Sequence, residues 1–394
     1  MSDRLRAGPA RGPDPFDDVS LELLRLRRGA KWTKYPADVL PAWVAEMDFA
    51  LALPIRETLL AAVSRDDTGY PDLEGLGTSF AAFARLHFGW EVEPGRVRLV
   101  ADVMSAVAEL LRATTEPGDG VIVNPPVYPP FFSVTEDVGR RVVEVPLATS
   151  GGGWQLDLDG IERAFRDGAR AYLMCHPHNP IGRPVLRKEL EAVAELSARY
   201  EAVVISDEVH APMAMPGVEH RPYLSLEGAA AEFGAVVTSA SKAWNIAGLK
   251  CALIVSGSGR VEALLGERLP EHLGYHTGHF GVLASLAAFD HGREWLDALV
   301  RHLDSNRRLL SELLADRLPE VGYVQPGAGF LAWLDCRALE LGDDPAEVFL
   351  ERGRLALSSG PTFGEQGRGF ARLNFGTSSA LLEEAVERMA ASLV

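Results

Sequence analysis

Residues 239–250 read SASKAWNIAGLK. The run before them, Phe233 to Thr238 (FGAVVT), is short, apolar and β-branched, the pattern of a buried strand. Lys242 therefore falls in the turn that ends this strand. Two small hydroxyl residues, Ser239 and Ser241, stand before it, and a second cation, Lys250, follows eight positions on. A lysine so placed is not a surface charge, and its neighbourhood has to explain it.

Outward from this point, residues 97 to 255 alternate between two patterns. Gly120–Asn124, Arg170–Cys175, Ala202–Ser206 and Lys250–Val255 read as further strands. Leu186–Tyr200 reads as a helix, with Leu186, Leu190, Val193 and Leu196 at helical spacing. Such alternation predicts an α/β unit built on a mainly parallel, buried sheet. After residue 290 the pattern changes to a long amphipathic helix (Trp295–Leu318), strands between Tyr323 and Asp335, and a closing helix (Leu381–Leu393), which predicts a smaller α+β domain. The expected division is a mobile segment 1–18, a segment 19–60 packing on the small domain, a large domain 61–290 and a small domain 291–394.

A chain of 394 residues is long enough for more than one core. Its 47% hydrophobic and 24% charged residues are those of a soluble globular protein. A net charge of −16 does not suit nucleic acid or an anionic membrane, both of which call for basic surface. The first sixteen residues, MSDRLRAGPARGPDPF, lack the apolar stretch of a signal peptide, and no run approaches the roughly 18 apolar residues of a membrane span. Cys175, Cys251 and Cys336 are few, far apart and set beside apolar runs, as reduced thiols are. A cytoplasmic protein acting on small molecules is expected.

In an open parallel sheet, ligands bind beyond the carboxyl ends of the strands. Four expected strands carry polar residues there: Asn124-Pro-Pro-Val-Tyr128, His176-Pro-His-Asn179-Pro, Asp207-Glu-Val-His210 and Ser239-Ala-Ser-Lys242. Each alone fits a turn or a helix cap. One chemistry uses all four. A lysine that condenses with an aldehyde needs a lowered pKa, which burial and a neighbouring cation such as Lys250 supply. A phosphate tail on that aldehyde suits Ser239, Ser241, Lys250 and the backbone N–H groups of Val103 and Met104 at a helix start. Asp207 suits a protonated ring nitrogen, Tyr128 an aromatic ring face and Asn179 a ring oxygen. These requirements describe pyridoxal 5′-phosphate.

The same residues resemble a known family. Ser239-Ala-Ser-Lys242 with Gly248 and Lys250 is similar to the lysine motif of the class I/II aminotransferases, of pyridoxal-phosphate fold type I. Within it, Lys31-Trp32, Asp38–Phe49 (DVLPAWVAEMDF), Gly69-Tyr70, Ser206–His210, Phe330–Asp335 and Gly369–Asn374 resemble the cysteine-S-conjugate β-lyases, the MalY/PatB-like cystathionine β-lyases. The resemblance implies that Lys242 holds the cofactor and moves the substrate's α-proton. It implies that Asp207, Tyr128 and Asn179 hold the ring, that His210 stands close to it, and that Arg372 grips the substrate α-carboxylate. Tyr70 is implied to reach the phosphate in the neighbouring subunit of a homodimer. The implied reaction is cleavage of a cysteine S-conjugate to pyruvate, ammonia and a thiol. Aminotransfer, and decarboxylation-coupled oxidative deamination of a bulky conjugate, share the same cofactor residues and stay open. Departures are Ile181 in place of the usual Thr, Gly329-Phe330 in place of Thr-Tyr, and the histidine-rich Tyr275–Phe280. Gly329 suggests a roomier substrate pocket. His276 and His279 have no third ligand nearby in sequence and suggest the substrate entrance rather than a metal.

Overall fold

The computed structural model describes residues 16–150, 153–270 and 272–393. Its frame is a seven-stranded sheet: β1 (Val97–Val100), β2 (Gly120–Val123), β3 (Arg141–Glu144), β4 (Ala169–Cys175), β5 (Val203–Asp207), β6 (Gly234–Thr238) and β7 (Ala252–Ser256), in the order β1-β7-β6-β5-β4-β2-β3. The five strands β6, β5, β4, β2 and β3 run parallel, and β7 is antiparallel to both of its neighbours. The mainly parallel sheet expected from the sequence is therefore observed, and strands β2, β5, β6 and β7 are buried throughout.

Strand side chains alternate between faces, and here both faces are covered. Val121, Leu173, Ile205, Val237 and Ile254 meet α2 (Val103–Thr114) through Ala106, Val107, Leu110 and Leu111. Ile122, Tyr172, Val204, Val236 and Leu253 belong to the opposite core, with Leu190 and Val193 of α3 (Arg187–Tyr200). This two-sided burial is why the strands read as continuous apolar runs. Helix α3 starts one residue later than expected. Leu186 is exposed and sits before the first turn, where its N–H donates to Glu189 at 2.8 Å.

The C-terminal part is a four-stranded antiparallel sheet, β8 (Gly322–Tyr323), β9 (Leu331–Asp335), β10 (Ser358–Ser359) and β11 (Phe370–Asn374), in the order β8-β9-β11-β10. Helices α5 (Arg293–Arg317) and α6 (Ser379–Ala391) pack on each other and share its hydrophobic core, α5 beginning two residues before the expected Trp295. The N-terminal segment joins this part through Leu40–Pro41, which pairs in parallel with Leu355–Ala356. From α1 (Leu53–Ser64) onward, the chain packs instead on α4 (His279–His291), earlier than the expected limit at residue 60. Residues 1–15 of the segment expected to be mobile lie outside the described residues. Its end, however, is packed: Phe16 is buried edge-on against Phe49 and Trp295, and Asp17 accepts hydrogen bonds from Ser379. An aromatic ring with a pocket to fill overrides a polar, Pro-rich composition. Among the described residues no helix is long and apolar enough to cross a membrane.

The N-terminal segment is fixed by a buried ion pair, Lys31 to Asp48 at 2.8 Å, with both side chains nearly inaccessible. The Trp32 Nε1–H donates to the same carboxylate, and Arg27 donates to the carbonyls of Asp48 and Phe49. Removing one partner of such a pair strands a buried charge. Asp48→Ala is expected to lower unfolding free energy by about 3–5 kcal/mol, measured by urea denaturation. A change under about 0.5 kcal/mol, as at ordinary surface sites, would show that the pair does not anchor the segment.

Candidate active site

Strands β2, β4, β5 and β6 are neighbours and parallel, so their carboxyl ends open on one edge of the sheet. There a cavity of about 250 Å³ is lined by Tyr128, Asn179, Asp207, His210, Ser239, Ser241, Lys242 and Lys250, with Val103 and Met104 at the start of α2. The sequence-derived set thus converges on one cavity, apart from Arg372 and Tyr70.

Lys242 lies one turn beyond β6, in the short helix Ala240–Ala243 capped by the Ser239 hydroxyl. Its Nζ donates to the Ala45 carbonyl at 2.9 Å. Enclosure by protein pushes its amine down to about 8; Glu46 opposes this, Arg372 adds to it, and Lys250, the cation expected to matter from the sequence, adds least. Asp207 ends β5 and accepts the Val209 N–H at 3.1 Å. Burial pushes its carboxyl up to about 7, against the pull of that hydrogen bond and of Lys242. Burial and the charges of Lys242 and Arg372 push His210 down to about 3, so its imidazole is neutral.

Arg372 does not line the cavity itself but adjoins it, its Nη1 donating to the Asn179 Oδ1 at 3.0 Å. Its Nη2 donates to the Trp43 carbonyl and the Ser358 hydroxyl, and its face lies over the Phe363 ring at 5.0 Å. The guanidinium is buried, its Nε has no partner, and it forms no ion pair among the described residues. Desolvation lowers it to about 10. A buried cation without an anion is a place for a carboxylate.

Some expected donors are otherwise engaged. The Ser239 hydroxyl donates its one proton to the Cys251 carbonyl at 2.6 Å and accepts from the Ser241 N–H, so it shapes the turn rather than offering a free donor. Lys250 is mostly exposed and paired with Asp102 at 2.9 Å, while Asp102 also caps α2 through the Ser105 N–H. Tyr70 lies outside the cavity, strongly exposed and edge-on to Tyr275. Gly329 does not open a large pocket: the space beside it and His210 is about 10 Å³, and its φ of +78° is itself a reason for glycine.

The histidines divide similarly. His279 Nε2 lies 3.2 Å from Asp67, and His276 packs against His272. Among the described residues, the group whose ligand atoms lie close enough for a metal is His176, Glu208 and His220. The Nδ1 of His176 accepts the Val185 N–H, which leaves the proton on Nε2 to donate to the Arg221 carbonyl. No lone pair on His176 remains for an ion. Glu208 accepts from Ser206, from the Tyr223 N–H and from His220, and ties the loop after Asp207 to the chain around Tyr223.

The residue types fit pyridoxal phosphate. Asp207 is a buried carboxyl suited to a cationic ring nitrogen, and Lys242 is an amine with lowered basicity. Val103 and Met104 head a twelve-residue helix whose dipole favours an anion. Sequence reasoning missed Ala45 and Val209, which also line the cavity. The Trp43–Phe49 stretch marked the resemblance, but its direct contacts with Lys242 and Arg372 are made by backbone carbonyls, which residue identity does not reveal.

Comparison with known proteins agrees. The model of the family "Aminotransferase class I and II" matches residues 34–389. A Mycobacterium tuberculosis protein provisionally named cystathionine beta-lyase is 44% identical over 97% of this chain and 99% of its own. The cystathionine beta-lyase of Corynebacterium glutamicum is 34% identical, over 95% of this chain and 99% of its own. Among solved structures, cystalysin from Treponema denticola, which contains a pyridoxal 5′-phosphate cofactor, superposes with a TM-score of 0.88 at 26% identity, covering 94% of this chain and 96% of that one. The chain belongs to the class I and II aminotransferase family.

A carboxyl whose folded pKa is raised makes folding weaker as pH rises between its unfolded and folded values, because the native state holds the proton longer. For Asp207 that window runs from about 4 to about 7. In cofactor-free protein, Asp207→Asn is expected to flatten the fall in stability across this window, as read by urea midpoints at pH 4.5 and 7.5. Parallel curves for wild type and variant would show that Asp207 is not held protonated.

Proposed function

We propose that the protein is a pyridoxal-phosphate-dependent carbon–sulfur β-lyase, which splits an amino acid bearing sulfur on Cβ into pyruvate, ammonia and a thiol. The observation that carries the reading is the pairing of Lys242, its amine lowered to about 8, with a buried Arg372 that has no anion of its own. One group handles a proton at Cα, and the other fixes the carboxylate on the same carbon. The names of the relatives that match end to end favour elimination over aminotransfer.

When bound, pyridoxal phosphate supplies an aldehyde for an amine to condense with and a ring that accepts the electron pair released at Cα. Asp207 would hold the proton on its ring nitrogen, Asn179 and His210 would meet its polar edge, and Val209 and Tyr128 would wall the ring. Val103, Met104, Ser241 and Lys250 stand at the end suited to a phosphate. Arg372 would take the substrate carboxylate through its unpartnered Nε, a donor held in a fixed direction that lysine cannot reproduce. Lowered to about 8, the Lys242 amine gives up its proton more readily near neutral pH and in its neutral form would take the α-proton. Loss of that proton from Cα drives the thiolate from Cβ, and water then releases ammonia and leaves pyruvate.

A homodimer is part of this reading. Tyr70 and Tyr275 are exposed, as are Leu53, Leu60 and Val63 along α1. A second copy covering this face would carry Tyr70 toward the partner's phosphate end.

The test is to incubate purified holoenzyme with cystathionine and with a bulkier cysteine S-conjugate, and to follow all carbon products by mass spectrometry. Pyruvate with free thiol is expected. A sulfur-retaining keto acid formed only with an added acceptor would make the protein an aminotransferase instead, and a sulfur-retaining aldehyde would indicate decarboxylation. In the same assay Lys242→Ala should lose about 1000-fold or more in turnover. Arg372→Lys should raise KM by about tenfold or more. An unchanged KM in that variant would remove Arg372 from the substrate site.

A further inference from the structure

Residues 43–47 cross between the two parts of the molecule as a backbone strap, and both proposed substrate-handling cations lean on it. Arg372 Nη2 donates to the Trp43 carbonyl at 2.9 Å, and Lys242 Nζ donates to the Ala45 carbonyl at 2.9 Å. The acceptors are two residues apart on one short run of chain. The separation of amine and guanidinium is therefore set by where that run sits.

Two asparagines hold the strap, one from each side. Asn374 lies two residues beyond Arg372 on β11 and is buried. Its Nδ2 donates to the carbonyls of Val44 at 2.7 Å and Glu46 at 2.6 Å, while its Oδ1 accepts the Gly376 N–H at 2.7 Å. Asn245 lies three residues beyond Lys242. Its amide closes a two-way pair with the Met47 backbone, accepting the N–H and donating to the carbonyl, both at 2.8 Å. Asn245 takes a φ of +56°, a left-handed conformation that asparagine tolerates better than most residues. Each asparagine thus uses its full amide on backbone near the strap, at a fixed short distance in sequence from one of the two cations.

We propose that Asn245 and Asn374 are positioning residues, which grip one strap from opposite sides and so set the distance between the Lys242 amine and the Arg372 guanidinium. The inference rests on the substrate roles given above to Lys242 and Arg372. Neither asparagine touches the reacting atoms. Asn374 grips the carbonyls of Val44 and Glu46, on either side of the Ala45 carbonyl that Lys242 uses, and Asn245 grips Met47 two residues further on. Loosening either one lets the Trp43 and Ala45 carbonyls drift and the guanidinium lose its orientation.

The test uses holoenzyme and propionate, a carboxylate with no amine to react, with binding followed by calorimetry. Asn374→Ala and Asn245→Gly, the latter keeping the left-handed backbone accessible, are each expected to weaken propionate by about tenfold. Pyridoxal-phosphate affinity and absorbance should hold. Because both asparagines act on one strap, the double variant should also fall by about tenfold rather than by the roughly hundredfold of independent sites. Leu314→Ala in α5, buried and remote from the strap, controls for stability alone and should bind propionate as the wild type does. Single variants with wild-type propionate affinity, an additive double variant, or an equal loss in Leu314→Ala would each overturn the inference. A wild-type enzyme that binds propionate but makes no pyruvate from thioethers would refute the lyase reading while leaving this one standing.

Discussion

Two cations, Lys242 and Arg372, are enclosed at the junction of the large sheet and the small one, and both point into the backbone of residues 43–45. Burying charge without a counter-ion is expensive, and carbonyl dipoles offset only part of that cost. The consequences run in two directions. The lysine gives way by becoming a weaker base, since a primary amine can lose its proton. The guanidinium is lowered too, but only to about 10, so it stays charged and keeps its affinity for an anion. On the function proposed above, the same enclosure suits one cation to carrying a proton and the other to gripping a carboxylate.

The opposite logic governs the acids. Asp207 and Glu208 are adjacent, buried and both raised to about 7, yet their surroundings separate their uses. Glu208 is surrounded by donors from Ser206, Tyr223 and His220, and works as a tie between elements. Asp207 faces the cavity with one backbone N–H for company and is left wanting a cationic partner. Alternation along the chain places one carboxylate toward the cavity and the next into the packing behind it. The N-terminal segment matters for the same site, because the Lys31–Asp48 pair and Arg27 fix the far end of the strap on which the two cations rest.

Much of this was legible in the chain. Strands buried on both faces must read as apolar runs, and a parallel sheet must gather its carboxyl ends at one edge. Polar residues following four such runs therefore pointed to one place, and Lys242, Asp207, Asn179 and Tyr128 do meet there. Other readings needed packing to correct them. The Ser239 hydroxyl resembles a phosphate donor until the Cys251 carbonyl, on the neighbouring strand side, claims its proton. Gly329 resembles a deleted side chain until its backbone angle is known.

By itself, then, the sequence determined the α/β architecture, the edge of the sheet where its polar residues gather and the residue types that suit the cofactor, because these follow from periodicity and side-chain chemistry along a single strand or turn. Only the tertiary structure decided which polar groups are spent on one another, how far burial moves each pKa, and that a backbone strap hundreds of residues away in sequence sets Lys242 against Arg372. Hydrogen bonds to carbonyls leave no mark in the identity of the residue that accepts them, and desolvation depends on neighbours that the chain brings together only when it folds.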